Sequence, residues 1–440
     1  MLDGKNKLGF ARMSFLGLQH MFAMFGATVL VPLLSGLSVQ VTLVSVGIGT
    51  LIFHFFAKGK VPVFLGSSFA FLVGINIITD PNNGPFAGEG LSTSEKLSYA
   101  TGGILVAGIV YIILALIVRI VGVKTFMKFL PPVVTAPAVI LIGIMLAPFA
   151  ISQSSDNLLL ASITLGIIII ASSWGKGMAK VTSILIGISV AYFVAFILHS
   201  FGIVNPNGTP ILDFTLAYQA NIIGLPDFML PRFNIVAILI MIPFAIATIA
   251  EHVGDMVALS TITGEDFIEK PGLSRTLIGD GLATVFSGII GGPATTTYGE
   301  NVGVVAITRV FNPRVVQIAA IYATVLGFSP LFGAVIRSIP TAIIGGASFM
   351  LYGMIAAVGI RNLVESRIDI GKTKNLTIIA VMLVMGLGLR FGPEITFMIG
   401  TTEVPIDRIG IAIAVIVGVL LHIILPEKEN NNDVGVIKSF

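Results

Sequence analysis

Long apolar runs, separated by short polar clusters, fill the chain from residue 13 to residue 425. Read by these runs it has fourteen segments: 13–34, 40–57, 62–79, 98–121, 130–150, 157–174, 181–201, 233–254, 275–292, 294–309, 314–336, 340–360, 374–391 and 408–425. A helix needs roughly 20 apolar residues to cross a bilayer, and 13–34, 104–121, 181–198 and 409–425 come closest to that ideal. The third and tenth segments are short and rich in Gly, Ser and Thr, which is poor material for a continuous helix. The pattern therefore predicts an all-α polytopic membrane protein with two discontinuous segments.

Composition agrees. Of 440 residues, 55% are hydrophobic and 11% charged, with a mean hydropathy of +1.01; soluble domains carry about 25% charged residues. The chain has no cysteine, which excludes disulfides, thiol chemistry and Cys-based metal sites. No metal or cofactor is expected. A formal charge of +3 does not suggest nucleic acid. The first apolar run lacks a short h-region with a cleavage site and reads as an uncleaved first helix. The stretch after Pro426 is polar and reads as a disordered tail.

Charge placement says more than its sum. If the N-terminus is cytoplasmic, only Lys96, Arg232, Arg337, Arg390 and Arg408 fall on the far side. The other 20 of 25 Lys and Arg residues lie in cytoplasmic loops or ends. The positive-inside rule expects such a bias, so both termini are placed in the cytoplasm and the protein in the cytoplasmic membrane. Residues 80–95 and 202–230, rich in Pro, Asn and Gly, read as extracellular connectors. Trp174 reads as an interfacial anchor.

Fourteen segments divide into seven and seven, and the halves share local similarity. "LQHMFAM" at 18–24 aligns with "AEHVGDM" at 250–256, setting Gln19 on Glu251 and His20 on His252. The same offset sets "GSSFAF" at 66–71 on "YGENVG" at 298–303, with Ser68 opposite Glu300. An odd number of segments per copy inverts the second copy in the membrane. Inverted repeats typify secondary transporters, where broken helices meet near the midplane and aim backbone amides at a substrate. Segments 3 and 10 should then face each other.

Ionisable residues inside spans are costly and functional by default. Glu251 and Asp255, four apart, share one helix face; Glu300 lies in segment 10 and Asp280 in segment 9. A purely structural pairing is the alternative for each, and it has most weight for Asp280. His20 and His252 suit packing or hydrogen bonding as well as substrate contact, whereas His54, His199 and His422 sit at span ends. No Lys or Arg in these spans obviously neutralises the two glutamates. A desolvated carboxyl without a cationic partner favours its neutral form and can exchange a proton, as a proton-coupled carrier requires. No HExxH, GxSxG or phosphate-loop motif points to an enzyme.

The run Glu300-Asn301-Val302-Gly303-Val304-Val305-Ala306-Ile307-Thr308-Arg309 matches in full the signature [Q/E/P]-N-x-G-x-x-x-x-T-[R/K/G]. With Gln19-His20, "KGKVPVFLGSSFAF" at 58–71 and "AEHVGDM", the chain resembles the nucleobase–ascorbate transporters, most closely their bacterial uracil permease branch. The resemblance implies fourteen segments in two inverted repeats, with paired short strands in segments 3 and 10. It implies a core (1–121 and 233–337), a gate (122–232 and 338–426), a cytoplasmic tail (427–440) and a homodimer in the lipid bilayer. Carried over by position, Glu251 and Glu300 accept hydrogen bonds from the pyrimidine N–H groups, and the amides of Phe69 and Gly299 donate to its carbonyls. Ser68 and Tyr298 lie beside the base, while Glu251, Asp255 and Tyr352 serve proton coupling. Asn301, Gly303, Thr308, Arg309, Gln19 and His20 form the supporting signature. Two carboxylate acceptors and two amide donors would satisfy all four polar groups of uracil. Asp255 stands where some uracil permeases have His. The expected activity is proton-coupled uracil uptake. A xanthine or purine permease is the alternative, although relatives of that kind usually open the signature with Gln; an anion transporter of the same fold comes third.

Overall fold

The computed structural model describes residues 9–426 apart from 83, 130, 394, 400, 401 and 406–408; the side chains of 124, 127, 129, 300, 396–399 and 402–405 also lie outside the description. The tail after Pro426 therefore falls outside the described residues, as do Arg408 and the side chain of Glu300.

Local signals set the ends of the helices. In the first part of the chain, α1 (Phe10–Ser35) stops at Gly36, whose φ of 80° gives a left-handed cap with its N–H donating to the Pro32 carbonyl. The hydroxyl of Ser38 accepts the Val41 N–H and opens α2 (Val39–Phe56). Strand β1 (Leu65–Ser67) and the ten-residue α3 (Ala70–Thr79) follow. Ser92 and Glu95 form a reciprocal capping box, so α4 (Thr93–Val121) starts five residues before the apolar run at 98. Then come α5 (Val123–Phe129), α6 (Pro132–Met145) with α7 (Ala147–Ser154), α8 (Leu158–Trp174), α9 (Met178–Val181), α10 (Ser183–Ser200) and α11 (Thr215–Gln219).

In the second part, Asn234 caps α12 (Ile235–Thr263). This helix runs nine residues past the expected end at 254, because its polar positions face protein instead of ending the helix: His252 is buried, and Glu251 and Asp255 are half-buried. After it come α13 (Leu273–Ile289), β2 (Thr295–Thr297) and α14 (Gly299–Thr308). Ser329-Pro330 ends α15 (Pro313–Gly327) and starts α16 (Pro330–Arg337). The two are bent by 86°, so the expected single span at 314–336 is broken. The last elements are α17 (Thr341–Glu365), α18 (Thr373–Phe391), an antiparallel hairpin of β3 (Thr396–Ile399) and β4 (Thr402–Pro405), and α19 (Gly410–Ile424). The hairpin had no counterpart in the sequence reading.

Eight helices of the described residues are long and apolar enough to cross a membrane, or nine with the bent pair counted as one. Close packing holds them together where side chains are small. A Cβ on Gly108 of α4 would come within 2.9 Å of the Gly281 carbonyl on α13, and one on Gly281 within 3.0 Å of the Gly108 carbonyl. In the same way α6 meets α17, where a Cβ on Gly143 would lie 2.6 Å from the Tyr352 carbonyl oxygen. Such approach lets dispersion and backbone contacts replace the hydrophobic drive that lipid does not supply.

Candidate functional site

Strands β1 and β2 pair antiparallel deep in the bundle, Leu65 with Thr297, Gly66 with Thr296 and Ser67 with Thr295, and all six residues are buried. β-branched Thr295–Thr297 suits an extended backbone. A two-stranded ladder has two raw edges, and in apolar surroundings each unpaired amide costs several kcal/mol. Helix threonines cover these edges. The Thr50 hydroxyl on α2 accepts the Leu65 N–H (3.0 Å) and lies 3.4 Å from the Leu65 carbonyl. On α13 the Thr284 hydroxyl accepts the Thr295 N–H (3.2 Å) and donates to the Thr295 carbonyl (3.1 Å). The Ser68 N–H extends the ladder to the Ala294 carbonyl (2.8 Å).

From the two ends of this ladder, which spans only about 7–10 Å, α3 and α14 depart. Neither Phe69 nor Tyr298, the residues before these helices, caps its helix with a side chain. Among the described residues no acceptor meets the N–H of Phe69 or Gly299. Uncapped helix starts carry partial positive charge and directed donors, which suit a carbonyl or an anion. Counted from these starts, Ala70 corresponds to Gly299, so Glu300 takes the place of Phe71. The sequence alignment instead set Ser68 opposite Glu300, so the two ways of pairing the segments differ by three residues.

Tyr298 is buried and locked across the ladder. Its hydroxyl donates to the Ser67 carbonyl (2.9 Å) and lies 3.2 Å from the Ser67 hydroxyl, which in turn donates to the Thr28 carbonyl on α1 (3.0 Å). Its ring rests on Gly66, where a Cβ would come within 2.2 Å. Beside it, the Thr297 hydroxyl donates to Asp255 Oδ2 (2.8 Å), and Asp255 Oδ1 would be 3.9 Å from a Cβ on Gly299. The face of α12 that carries Glu251 and Asp255 therefore stands at the start of α14.

Residues 11–395 match a family model described as the permease family. The chain belongs to the permease family. This permease is 41% identical to the uracil permease of Bacillus subtilis (strain 168), over 96% of its own length and 95% of that protein's. It is 37% identical to a probable uracil permease of Haemophilus influenzae, over 98% and 97% of the two chains. Among solved structures it is similar in fold to the transmembrane domain of a cyanobacterium bicarbonate transporter, BicA, with a TM-score of 0.61 at 17% identity, covering 95% of this chain and 99% of that one. Family and apolar helices together make it a multi-pass membrane protein.

In the permease, the ladder gathers Ser68, Phe69, Tyr298, Gly299 and Asp255 into one region. Ser68 is fully buried and its hydroxyl has no partner among the described residues. Tyr352 is buried on α17, its hydroxyl near that of Ser348 one turn before it. His20 on α1 and Asn301 on α14 are buried and their side chains lie against one another; Gln19 and Gly303 are half-buried. Thr308 and Arg309 have a structural place. The Thr308 hydroxyl donates to the Val304 carbonyl (2.8 Å), and Arg309 ends α14 with a φ of 55°, its N–H donating to the Val305 carbonyl. Asp280 pairs with His252, Nδ1 to Oδ2 at 3.2 Å, both fully buried. That is the structural pairing the sequence offered as the alternative. Gly66, Ser67, Thr28 and Thr297 were missed by sequence reasoning; for Thr297 the signal was the β-branched run beside Tyr298.

Proposed function

We propose that this permease takes up uracil together with a proton across the cytoplasmic membrane by alternating access. One observation carries the reading: two uncapped short helices start from a shared, buried ladder, beside a helix face that carries Glu251 and Asp255. Relatives named uracil permease support the substrate. In this reading the amides of Phe69 and Gly299 donate to the two pyrimidine carbonyls, and Glu251 and Glu300 accept from the two ring N–H groups. Ser68 and Tyr298 line the base. Glu251, Asp255 and Tyr352 manage the proton, with Asp255 restrained by Thr297. Gln19, His20, Asn301, Gly303, Thr308 and Arg309 hold the surroundings.

We further propose fourteen segments in two inverted repeats, with a core (1–121 and 233–337) moving against a gate (122–232 and 338–426) in a homodimer whose termini are cytoplasmic. The twofold pattern at the ladder supports the repeat: each strand begins with a residue held by a threonine of an earlier helix, Thr50 for Leu65 and Thr284 for Thr295. Uptake of radiolabelled uracil in a transport-deficient host tests the reading. Uptake that a protonophore collapses and xanthine does not inhibit is expected. Xanthine uptake without uracil uptake would overturn the substrate, and indifference to the protonophore would overturn the coupling.

A further inference from the structure

The connector between α10 and α12 changes character along its length. Residues 205–209 are polar and exposed or half-exposed, with Asn205 bonded to Asn157 (3.1 Å). From residue 216 onward large apolar side chains stand in the open. Ile222 is 71% exposed, Ile223 82%, Leu225 80% and Leu230 79%. Exposed Gln219, Asn221, Asp227 and Arg232 are interleaved with them.

This stretch is not a loose loop, because its backbone is fastened along one end of the bundle. Gly224 N–H donates to the Phe328 carbonyl (3.0 Å) and Leu331 N–H to the Asn221 carbonyl (3.0 Å), which ties the strap to the bend between α15 and α16. Met229 N–H donates to the Ile290 carbonyl (3.3 Å) behind α13, and Arg232 N–H to the Ser98 carbonyl of α4 (2.9 Å). A Cβ on Gly291 would come within 2.7 Å of the Met229 carbonyl, so the strap lies directly on the helix ends. Held this way, Met229 packs on the protein while Ile222, Ile223, Leu225 and Leu230 stay outside it.

We infer that residues 216–233 form an interfacial anchor whose partner is the lipid headgroup region at that end of the bundle. Large exposed apolar patches are unfavourable in water. The hydrocarbon core would not accept exposed Asn221, Asp227 and Arg232, whereas the headgroup zone takes both kinds of side chain. The strap also continues lipid-facing belts, since Phe196 and Phe201 at the end of α10 and Phe233 and Ile235 at the start of α12 are exposed. A second copy of the chain is the competing occupant, but interleaved charges spaced along one narrow strap are a poor dry interface.

The chain has one tryptophan, so Trp174→Phe gives a silent background for single probes Ile223→Trp and Leu225→Trp. In phosphatidylcholine vesicles brominated near the headgroup end of the acyl chains, both probes should lose emission that plain vesicles preserve, and aqueous acrylamide should quench them weakly. Asn207→Trp, in the polar part of the connector, should respond to acrylamide and not to bromolipid. Strong acrylamide quenching at 223 and 225 would place the strap in water and overturn the inference. Protection from both quenchers would assign the face to a protein partner and overturn it equally.

Discussion

Replacing Gly66 with alanine tests whether the ladder positions the site. The added Cβ would meet Cε2 and Cζ of Tyr298 at 2.2 Å, against an ordinary carbon contact of about 3.5 Å or more. The ring must withdraw by about 1.3 Å, which carries its hydroxyl from 2.9 Å to beyond hydrogen-bond range of the Ser67 carbonyl. Loss of that bond costs about 0.5–1.5 kcal/mol and overpacking typically about 1–3 kcal/mol. Together these give about 1.5–4.5 kcal/mol, or roughly 10- to 1,500-fold in an equilibrium at 1.4 kcal/mol per tenfold. Because Tyr298 precedes Gly299 directly, the strain falls on the start of α14. Gly66→Ala should therefore lower both the melting temperature of the purified protein and its affinity for uracil. Truncating the ring with Tyr298→Ala in the same chain should recover part of the loss, giving a coupling energy above about 1 kcal/mol in a double-mutant cycle. Melting and binding like the parent's would show that the ring does not rest on Gly66, and the account of the ladder would fail.

Thr297→Val removes the donor to Asp255 and leaves that carboxyl oxygen without this hydrogen bond, at about 1–3 kcal/mol; uptake should show a raised KM that Thr297→Ser restores. Glu251→Gln and Glu300→Ala should each abolish uptake while the protein still elutes as a folded species in size-exclusion chromatography, and normal uptake by either would refute the assigned roles. Arg232→Ala breaks a 3.2 Å ion pair with Glu95 whose side chains are 52% and 39% exposed. Exposed pairs of this kind contribute little because water screens them, so its melting temperature and uptake should stay near the parent's.

Much of this architecture is legible in the sequence because lipid leaves few choices. Apolar runs become helices, and a short run such as "GSSFAF" cannot. The capping box Ser92-x-x-Glu95 was there to be read as the start of α4, yet hydropathy alone trims the helix to 98. The same bias cuts α12 at 254, since Glu251 and Asp255 look like a boundary until their neighbours in space are known. Ser329-Pro330 sits inside an apolar run, so the bend there is silent to any count of hydrophobic residues. At the site, Glu251, Asp255 and Tyr298 announce themselves as polar groups in the wrong solvent. Gly66 and Thr297 do not, because their importance lies in what touches them across the ladder. Register also escapes the sequence: counted from the helix starts, Phe71 and not Ser68 stands level with Glu300.

The ladder also governs how the protein is made. Its two strands come from opposite halves of the chain, and each is only three residues long. While the first half alone is in the membrane, β1 has Thr50 at one end and no partner along its length, so its peptide groups must find water or another chain. The site is completed only when Thr295–Thr297 arrive. Chains truncated before that point should therefore be substrates for membrane quality control, however well their first helices insert.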